Sequence, residues 1–288
     1  MTYKADIFRP IPSFDEQRRH KQEVSYINHP LNESDPRFNE PLVAISDLGL
    51  LGNAYYSNPN HATGEPVPGV SPNLYLREAV ASKLLAVDEY LNADPRVAEA
   101  LGGNVRINGS DGLRSVALQN YLRETAFPDM VRKNHPEWDE ETVIKEAHRK
   151  IAPGSPASPH ASGGAVDVDI VYNTDGYPKV FNAQGKDIAS DAVYPDYMEK
   201  LASGTIEIPE TLKGLSKNQL TRALMARRVL FNVMADPEIG GLPMRANPVE
   251  IWHYDHGTRL WAQMETLESG LMVPAHYGHV TEPEQNKA

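Results

Sequence analysis

Two short segments contain the residue types of a hydrolytic zinc site. The first runs Ser158-Pro-His160-Ala-Ser-Gly-Gly-Ala-Val-Asp167, and the second is Glu250-Ile-Trp-His253. They supply two imidazoles and a carboxylate as ligands, plus a second carboxylate. A catalytic zinc takes three protein ligands and keeps a fourth position for water, and an unligated carboxylate can then carry the proton. The pattern therefore predicts one Zn²⁺ per chain, held by His160, Asp167 and His253, with Glu250 as general acid and base.

The two segments differ in how much each indicates alone. A His followed seven residues later by an Asp occurs by chance about once in a chain or two of this composition. Glu-x-Trp-His is much rarer, because the chain has only three Trp, and chance gives it on the order of once in a hundred such chains. The prediction depends on both segments together, in this order.

The first segment needs a turn to bring its two ligands to one ion. His160 and Asp167 are an odd number of residues apart, so a single straight strand would place them on opposite faces. Gly163-Gly164 can adopt positive φ angles, which allows a loop to carry His160 and a strand to carry Asp167. Asp169 competes with Asp167, since it lies on the same strand face. Taken alone, His160 also fits an exposed loop residue, and Asp167 an edge-strand carboxylate in water.

The second segment needs an irregular strand. Strict alternation places Glu250 and His253 on opposite faces, so a shared site requires a bulge, a twist or a strand that begins after Glu250. Pro248 is compatible with an irregular start. The alternatives are a half-buried core histidine beside Trp252 and a solvated Glu250. We expect His256 behind the ligands or at the surface.

Arg114 is a further candidate, in Ser110-Asp-Gly-Leu-Arg-Ser. It opens a helix after a tight turn, where a guanidinium can hold a substrate carboxylate or the oxyanion of a tetrahedral intermediate. The alternative is an ordinary ion pair with Asp111, and the residues alone favour it.

Composition limits the partners. The 288-residue chain has a formal charge of -11 and no Cys, so it repels phosphate backbones and anionic lipid headgroups, and it has no thiolate ligands. We expect a small peptide substrate, no nucleic acid and no membrane partner. Without an apolar leader or a long apolar run, we expect a soluble cytoplasmic protein. Homo-oligomer formation is left open.

Hydrophobic periodicity predicts a mixed order of elements. Helices are expected at about 76–91, 114–125, 140–151 and, after a capping box at Ser216, up to about 235. Strands are expected at 104–109, 165–172 and 249–254. Because strands and helices do not alternate as βαβ units, we predict an α+β fold whose small, mainly antiparallel sheet bears the zinc site and is flanked by helices.

The predicted organisation has three parts. Residues 1–45 form an N-terminal extended arm, residues 46–270 the zinc domain with an irregular insert at 173–214, and residues 271–288 a C-terminal tail.

The motif resembles the zinc D-alanyl-D-alanine dipeptidase and carboxypeptidase family, especially its vancomycin-resistance-type D,D-dipeptidase branch. That family carries Ser-x-His-x(6)-Asp followed by Glu-x-Trp-His, and this chain fills every position of both motifs. Weaker sequence similarities to the family extend over roughly residues 50–265. They include Asp111-Gly-Leu-Arg114, which resembles the family's Asp-Gly-Tyr-Arg-Pro.

The resemblance implies a set of roles. His160, Asp167 and His253 hold zinc, Glu250 is the general acid and base, and Arg114 polarises the scissile carbonyl. Ser158 binds substrate, while Asp111 and Trp252 support these residues from behind. The implied substrate is a short peptide, D-alanyl-D-alanine first.

Two alternatives remain. One is a muropeptide D,D- or L,D-carboxypeptidase or endopeptidase, and the other is a non-catalytic zinc-stabilised binding domain. Leu113 and Ser115 replace the family's Tyr and Pro, its Met-Gly-x-x-Phe-Asp segment is not recognisable, and the gap between the two motifs is wider than in the dipeptidases. The substrate pocket is therefore expected to differ.

Overall fold

A computed structural model describes residues 4–10, 26–57, 66–67, 70–172, 217–247 and 250–281. The predicted insert at 173–214, the capping box at Ser216 and the end of the tail lie outside these residues. The strands are β1 Leu42–Ala44, β2 Leu51–Gly52, β3 Tyr75–Arg77, β4 Val105–Asp111, β5 Ala165–Tyr172, β6 Arg245–Asn247 and β7 Glu250–Asp255. The α-helices are α1 Glu78–Ala93, α2 Pro95–Leu101, α3 Val116–Tyr121, α4 Phe127–Asn134, α5 Glu140–Lys150, α6 Lys217–Ala235 and α7 Arg259–Ser269. Within these ranges, no helix has both the length and the apolar character needed to cross a membrane.

The described strands form two sheets. β1 pairs with β3, and a five-stranded sheet has the order β2-β4-β5-β7-β6. β2 and β4 are parallel, and the other pairs are antiparallel. The α+β class with a mainly antiparallel sheet is confirmed.

The main core lies between one face of this sheet and helices α1, α2 and α6. Strand β5 contributes Val166, Val168 and Ile170 to it, as its alternating pattern predicts. Asp167 and Asp169 consequently point to the opposite face. The arm is not wholly peripheral, because Ala5 and Ile7 are buried in the same core, although the division at residue 45 stays a prediction.

The helix predicted at 114–125 is shorter and less regular than expected. Helix α3 begins at Val116 and is followed by a π-helical turn at Leu122–Ala126 that leads into α4. Ser115 caps α3, because its hydroxyl accepts a hydrogen bond from the Leu118 amide at 2.9 Å. Ser115 stands where the family that the motif resembles has Pro, and the position is compatible with a helix start.

A buried lysine from another helix caps the C-terminal end of α6. The ammonium group of Lys83 on α1 donates to the carbonyl oxygens of Val233, Asp236 and Ile239 at 3.0, 2.7 and 2.5 Å. Burial lowers the pKa of Lys83 to about 8, which still leaves it charged at neutral pH. A cation is favourable at this position, because the last carbonyls of a helix carry partial negative charge.

Replacing this lysine should be costly. Lys83→Met leaves buried carbonyl groups without donors, so we expect the free energy of unfolding to fall by about 2–4 kcal/mol. Urea denaturation measures this, with Lys133→Met on the exposed side of α4 as the matched control. Equal midpoints for the two variants would contradict the capping role.

Candidate metal centre

The predicted ligands come from three elements that meet on the sheet face opposite the main core. His160 lies in a 3₁₀ helix, Pro159–Ser162, which ends at Gly163 with φ of 73°. The predicted turn is therefore present. In the sheet, Asp167 of β5 is paired with His253 of β7 on one side and with Asp111 of β4 on the other.

Three potential ligand atoms converge on one point. Nε2 of His160 lies 3.4 Å from Oδ1 of Asp167 and 3.1 Å from Nδ1 of His253, and that Nδ1 lies 3.1 Å from the same Oδ1. Zinc bonds of about 2.0–2.1 Å at tetrahedral angles place ligand atoms about 3.3 Å apart. The observed triangle has the size that a zinc ion requires.

Hydrogen bonds behind the two imidazoles orient their lone pairs toward the same point. Nδ1 of His160 lies 2.8 Å from the carbonyl oxygen of Gly112, and Nε2 of His253 lies 2.9 Å from Oδ2 of Asp255. Both partners only accept, so these nitrogens carry hydrogens and the nitrogens that face each other carry lone pairs. In a neutral pair these two lone pairs would face each other, so the arrangement favours a cation at this point, either a proton or a metal ion.

The carboxylate of Asp167 also favours a cation at this point. Burial raises the pKa of Asp167, but the nearby imidazoles lower it more, so the net pKa lies below the usual range. Burial lowers the pKa of His253, but Asp255 and Asp167 raise it well above its usual value. Oδ1 of Asp167 is buried and receives no hydrogen bond from the described residues. The cluster therefore fits a divalent cation.

Asp255 forms a second layer behind the cluster. It is fully buried and also accepts a hydrogen bond from the Thr258 hydroxyl at 3.0 Å. A carboxylate that holds a ligating histidine fixes the ring and increases its basicity. Asp255 was not among the predicted site residues, although its position two residues after His253, on the same strand face, was an available signal.

Removing this support should weaken the metal site. For Asp255→Asn we expect metal affinity to fall about 10- to 100-fold, because the His253 ring loses its charged partner. Competition with a chromophoric chelator measures the change. Asp88→Asn, at a buried carboxylate paired with Arg106, controls for general damage. Unchanged affinity in Asp255→Asn would refute the supporting role.

Glu250 lies next to the cluster without joining it. Its Oε2 is 3.8 Å from Nδ1 of His253 and accepts a hydrogen bond from the Asn247 side chain at 2.8 Å. The pairing of β6 with β7 shifts register between Ala246 and Asn247. This is the irregularity needed to bring Glu250 and His253 to one side. The Glu250 side chain is 44 % exposed, whereas that of the neighbouring His253 is 4 % exposed.

Arg114 makes the ion pair with Asp111 that the residues alone favour. Its Nε donates to Oδ2 of Asp111 at 3.0 Å, and Nη2 contacts the same oxygen. Burial lowers the pKa of Arg114, but Asp111, Tyr56 and Asp167 raise it, and the net shift is upward. The contribution from Asp167 places the guanidinium within electrostatic range of the cluster.

The structure locates the two remaining predicted residues without assigning them a function. Ser158 precedes the 3₁₀ helix of His160 and is half-buried. Trp252 is half-buried in β7, next to His253. The substrate-binding role of Ser158 and the supporting role of Trp252 stay predictions.

His256 is not at the surface, which was one of the two positions expected for it. Its ring is buried, bonds the carbonyl oxygen of Pro243 through Nδ1 at 2.9 Å, and packs with Trp261, His276 and Tyr277. The strand ends at Asp255, and Gly257 follows with φ of 68°. A position of His256 behind the ligands stays a prediction.

This aromatic cluster predicts sensitivity to acid. Burial lowers the pKa of His276 to about 4, with contributions from Arg37 and His256, while Asp35 opposes the shift. Between about pH 6.5 and about pH 4 the unfolded chain binds a proton that the folded chain does not, so stability is lost as the pH falls through this range. Urea midpoints should drop accordingly, and less steeply in His276→Gln. Parallel slopes for both proteins would contradict the assignment.

No family model and no curated protein matches the sequence. Among solved structures, the chain is similar to a mutant of the vancomycin resistance D,D-pentapeptidase VanY from a VanB-type resistance cassette, in complex with Zn(II). The two are 17 % identical with a TM-score of 0.31, and the match covers 70 % of this chain and 83 % of that one. A likeness at this level does not establish a shared site or activity.

Proposed function

We propose that this protein is a zinc-dependent hydrolase of short peptides. The observation that carries the proposal is the convergence of His160, Asp167 and His253 with their free electron pairs facing one point, beside the unligated carboxylate of Glu250. A purely structural zinc site is normally closed by a fourth protein ligand. The solvent-exposed carboxylate beside this cluster favours catalysis over the zinc-stabilised binding domain.

Each residue has a distinct task in this proposal. Zinc held by His160, Asp167 and His253 would supply a polarised water and a Lewis acid for the peptide carbonyl oxygen. Glu250 accepts a proton from the attacking water and delivers it to the leaving amine as the C–N bond breaks. Arg114 donates hydrogen bonds to the carbonyl oxygen as negative charge develops there. Ser158 contributes a hydroxyl to substrate binding.

The substrate that we propose is D-alanyl-D-alanine or a similar dipeptide with D-amino acids. Support comes from the motif set Ser158, His160, Asp167, Glu250, Trp252 and His253, which resembles the D,D-dipeptidase branch. A cytoplasmic location, itself a prediction, would make free dipeptides the accessible target. A muropeptide carboxypeptidase or endopeptidase is the alternative within the same chemistry.

A peptide panel tests the proposal. The zinc-loaded protein should hydrolyse D,D dipeptides faster than L,D or L,L dipeptides, and N-acetylation of the dipeptide should abolish turnover. Turnover of the acetylated form would instead indicate a carboxypeptidase. If the zinc-loaded protein cleaved no member of a panel that also includes muropeptides, the proposed hydrolysis would be wrong.

A further inference from the structure

The guanidinium group of Arg114 is held from three directions by residues that neither motif includes. Besides Asp111, its Nη1 donates to Oε1 of Gln119 at 2.6 Å, and its Cζ lies 5.1 Å from the ring centre of Tyr56. We propose that Gln119 and Tyr56 are positioning residues, which aim the unused N–H groups of Arg114 at the carbonyl oxygen of the substrate. The inference rests on the proposed function.

Counting donors shows what remains for a substrate. A guanidinium has five N–H groups. Asp111 receives one from Nε and one from Nη2, and Gln119 receives one from Nη1. Two N–H groups of Arg114 are left without a partner in the described part of the chain. They belong to Nη1 and Nη2, so the end of the guanidinium is available to an oxygen.

Gln119 is itself fixed. It is buried in α3, and its Nε2 donates to the carbonyl oxygen of Ala152 at 2.8 Å. This second bond sets which end of the amide faces Arg114, so Oε1 is the atom presented to the guanidinium. Tyr56 is also buried, in a smaller core with Leu122 and Phe127. Both contacts are rigid, so Arg114 loses little rotamer freedom when it binds an oxygen.

The same loop links Arg114 to the metal ligand. The Arg114 amide donates to the carbonyl oxygen of His160 at 3.1 Å, and Nδ1 of His160 donates to the carbonyl oxygen of Gly112 at 2.8 Å. The backbone of Arg114 therefore has a fixed position relative to the cluster. What remains to be fixed is the long side chain, and Asp111, Gln119 and Tyr56 do this.

Paired variants separate positioning from folding. Gln119→Met removes the acceptor at similar volume, and we expect kcat to fall about 10- to 100-fold with little change in KM and with zinc content intact. Gln119→Glu keeps an acceptor for Arg114 but loses the donor to the Ala152 carbonyl oxygen, so its kcat should fall less than that of Gln119→Met. Tyr56→Leu should lower kcat about 3- to 30-fold, whereas Tyr56→Phe keeps the ring and should not. Gln263→Leu, at a buried glutamine of α7, controls for lost stability.

Chemical rescue separates positioning from a general loss of stability. A loss of stability alone should not change the guanidinium concentration that rescue requires. Added guanidinium ions should restore part of the activity of Arg114→Ala, because Asp111, Gln119 and Tyr56 can bind them in place of the missing side chain. Rescue should need higher guanidinium concentrations when Gln119→Met or Tyr56→Leu is added to Arg114→Ala. It should be unaffected by the added control Gln263→Leu.

The results of these experiments separate a failure of the proposed function from a failure of the positioning inference. If the unmodified zinc-loaded protein cleaves no peptide, the proposed function fails. If it does cleave peptides, but Gln119→Met and Tyr56→Leu keep full kcat and do not alter rescue of Arg114→Ala, the positioning inference fails alone. A fall in kcat that is matched by Gln119→Glu and Tyr56→Phe would also overturn it, because the two named contacts would then be irrelevant.

Discussion

Replacing Glu250 with glutamine should lower kcat by roughly 10²- to 10⁴-fold while zinc stays bound, because the amide cannot accept a proton from water. The side chain keeps its shape and its contact with Asn247, so the local fold should persist. Peptide hydrolysis and metal content are measured on the same sample.

The control for this variant is Glu141→Gln, an exposed carboxylate on α5. It should leave both quantities unchanged. Full turnover by Glu250→Gln with zinc retained would show that another group moves the proton. Loss of zinc together with activity would show that Glu250 is a ligand instead. This would contradict its placement outside the group of converging ligand atoms.

Replacing Asp167 with asparagine should reduce zinc affinity by more than about 100-fold, a larger effect than the loss of a supporting residue produces. The variant removes the negative ligand from a buried group of two imidazoles, and two histidines alone hold zinc weakly. Asp169→Asn is the matched control, since Asp169 lies on the same strand and is also buried. Calorimetric titration with zinc measures both.

This pair also decides between the two carboxylates that the sequence offered. Asp169 lies one repeat along β5, opposite Asn108 of β4, and outside the group of converging ligand atoms. Zinc loss in Asp169→Asn with normal binding in Asp167→Asn would reverse the ligand assignment.

Much of the fold followed from periodicity. The helix predicted at 76–91 is α1, that at 140–151 is α5, and the alternating run at 165–172 is β5. These segments have strong patterns and well-placed caps, as Asp139 does for α5 by accepting a hydrogen bond from the Thr142 amide. Local signals of this kind need no knowledge of the tertiary contacts.

The site was predictable where residue type and local backbone decide it. A turn at Gly163 and an irregular pairing of the strand that carries Glu250 and His253 were both needed to bring the predicted residues together, and both are present. Asp255, the Gly112 carbonyl group and Gln119 were not predicted. The Gly112 carbonyl group and Gln119 act through contacts between elements, which a single sequence does not record, whereas Asp255 lies on the same strand as His253 and its spacing was a usable signal.

The burial of His256 and Lys83 illustrates the same limit. His256 packs against residues of α7 and the segment that follows it, and Lys83 reaches the end of α6. Polar residues are usually exposed, so their burial depends on partners that only tertiary structure provides.

Zinc stoichiometry, measured before and after chelation, tests whether a metal ion at His160, Asp167 and His253 is required for activity. We expect one zinc ion per chain, loss of peptide hydrolysis when a chelator removes it, and recovery when zinc is restored. His160→Ala should bind no zinc under the same conditions and stay inactive. A folded, metal-free protein that hydrolyses peptides at the full rate after chelation would contradict the account.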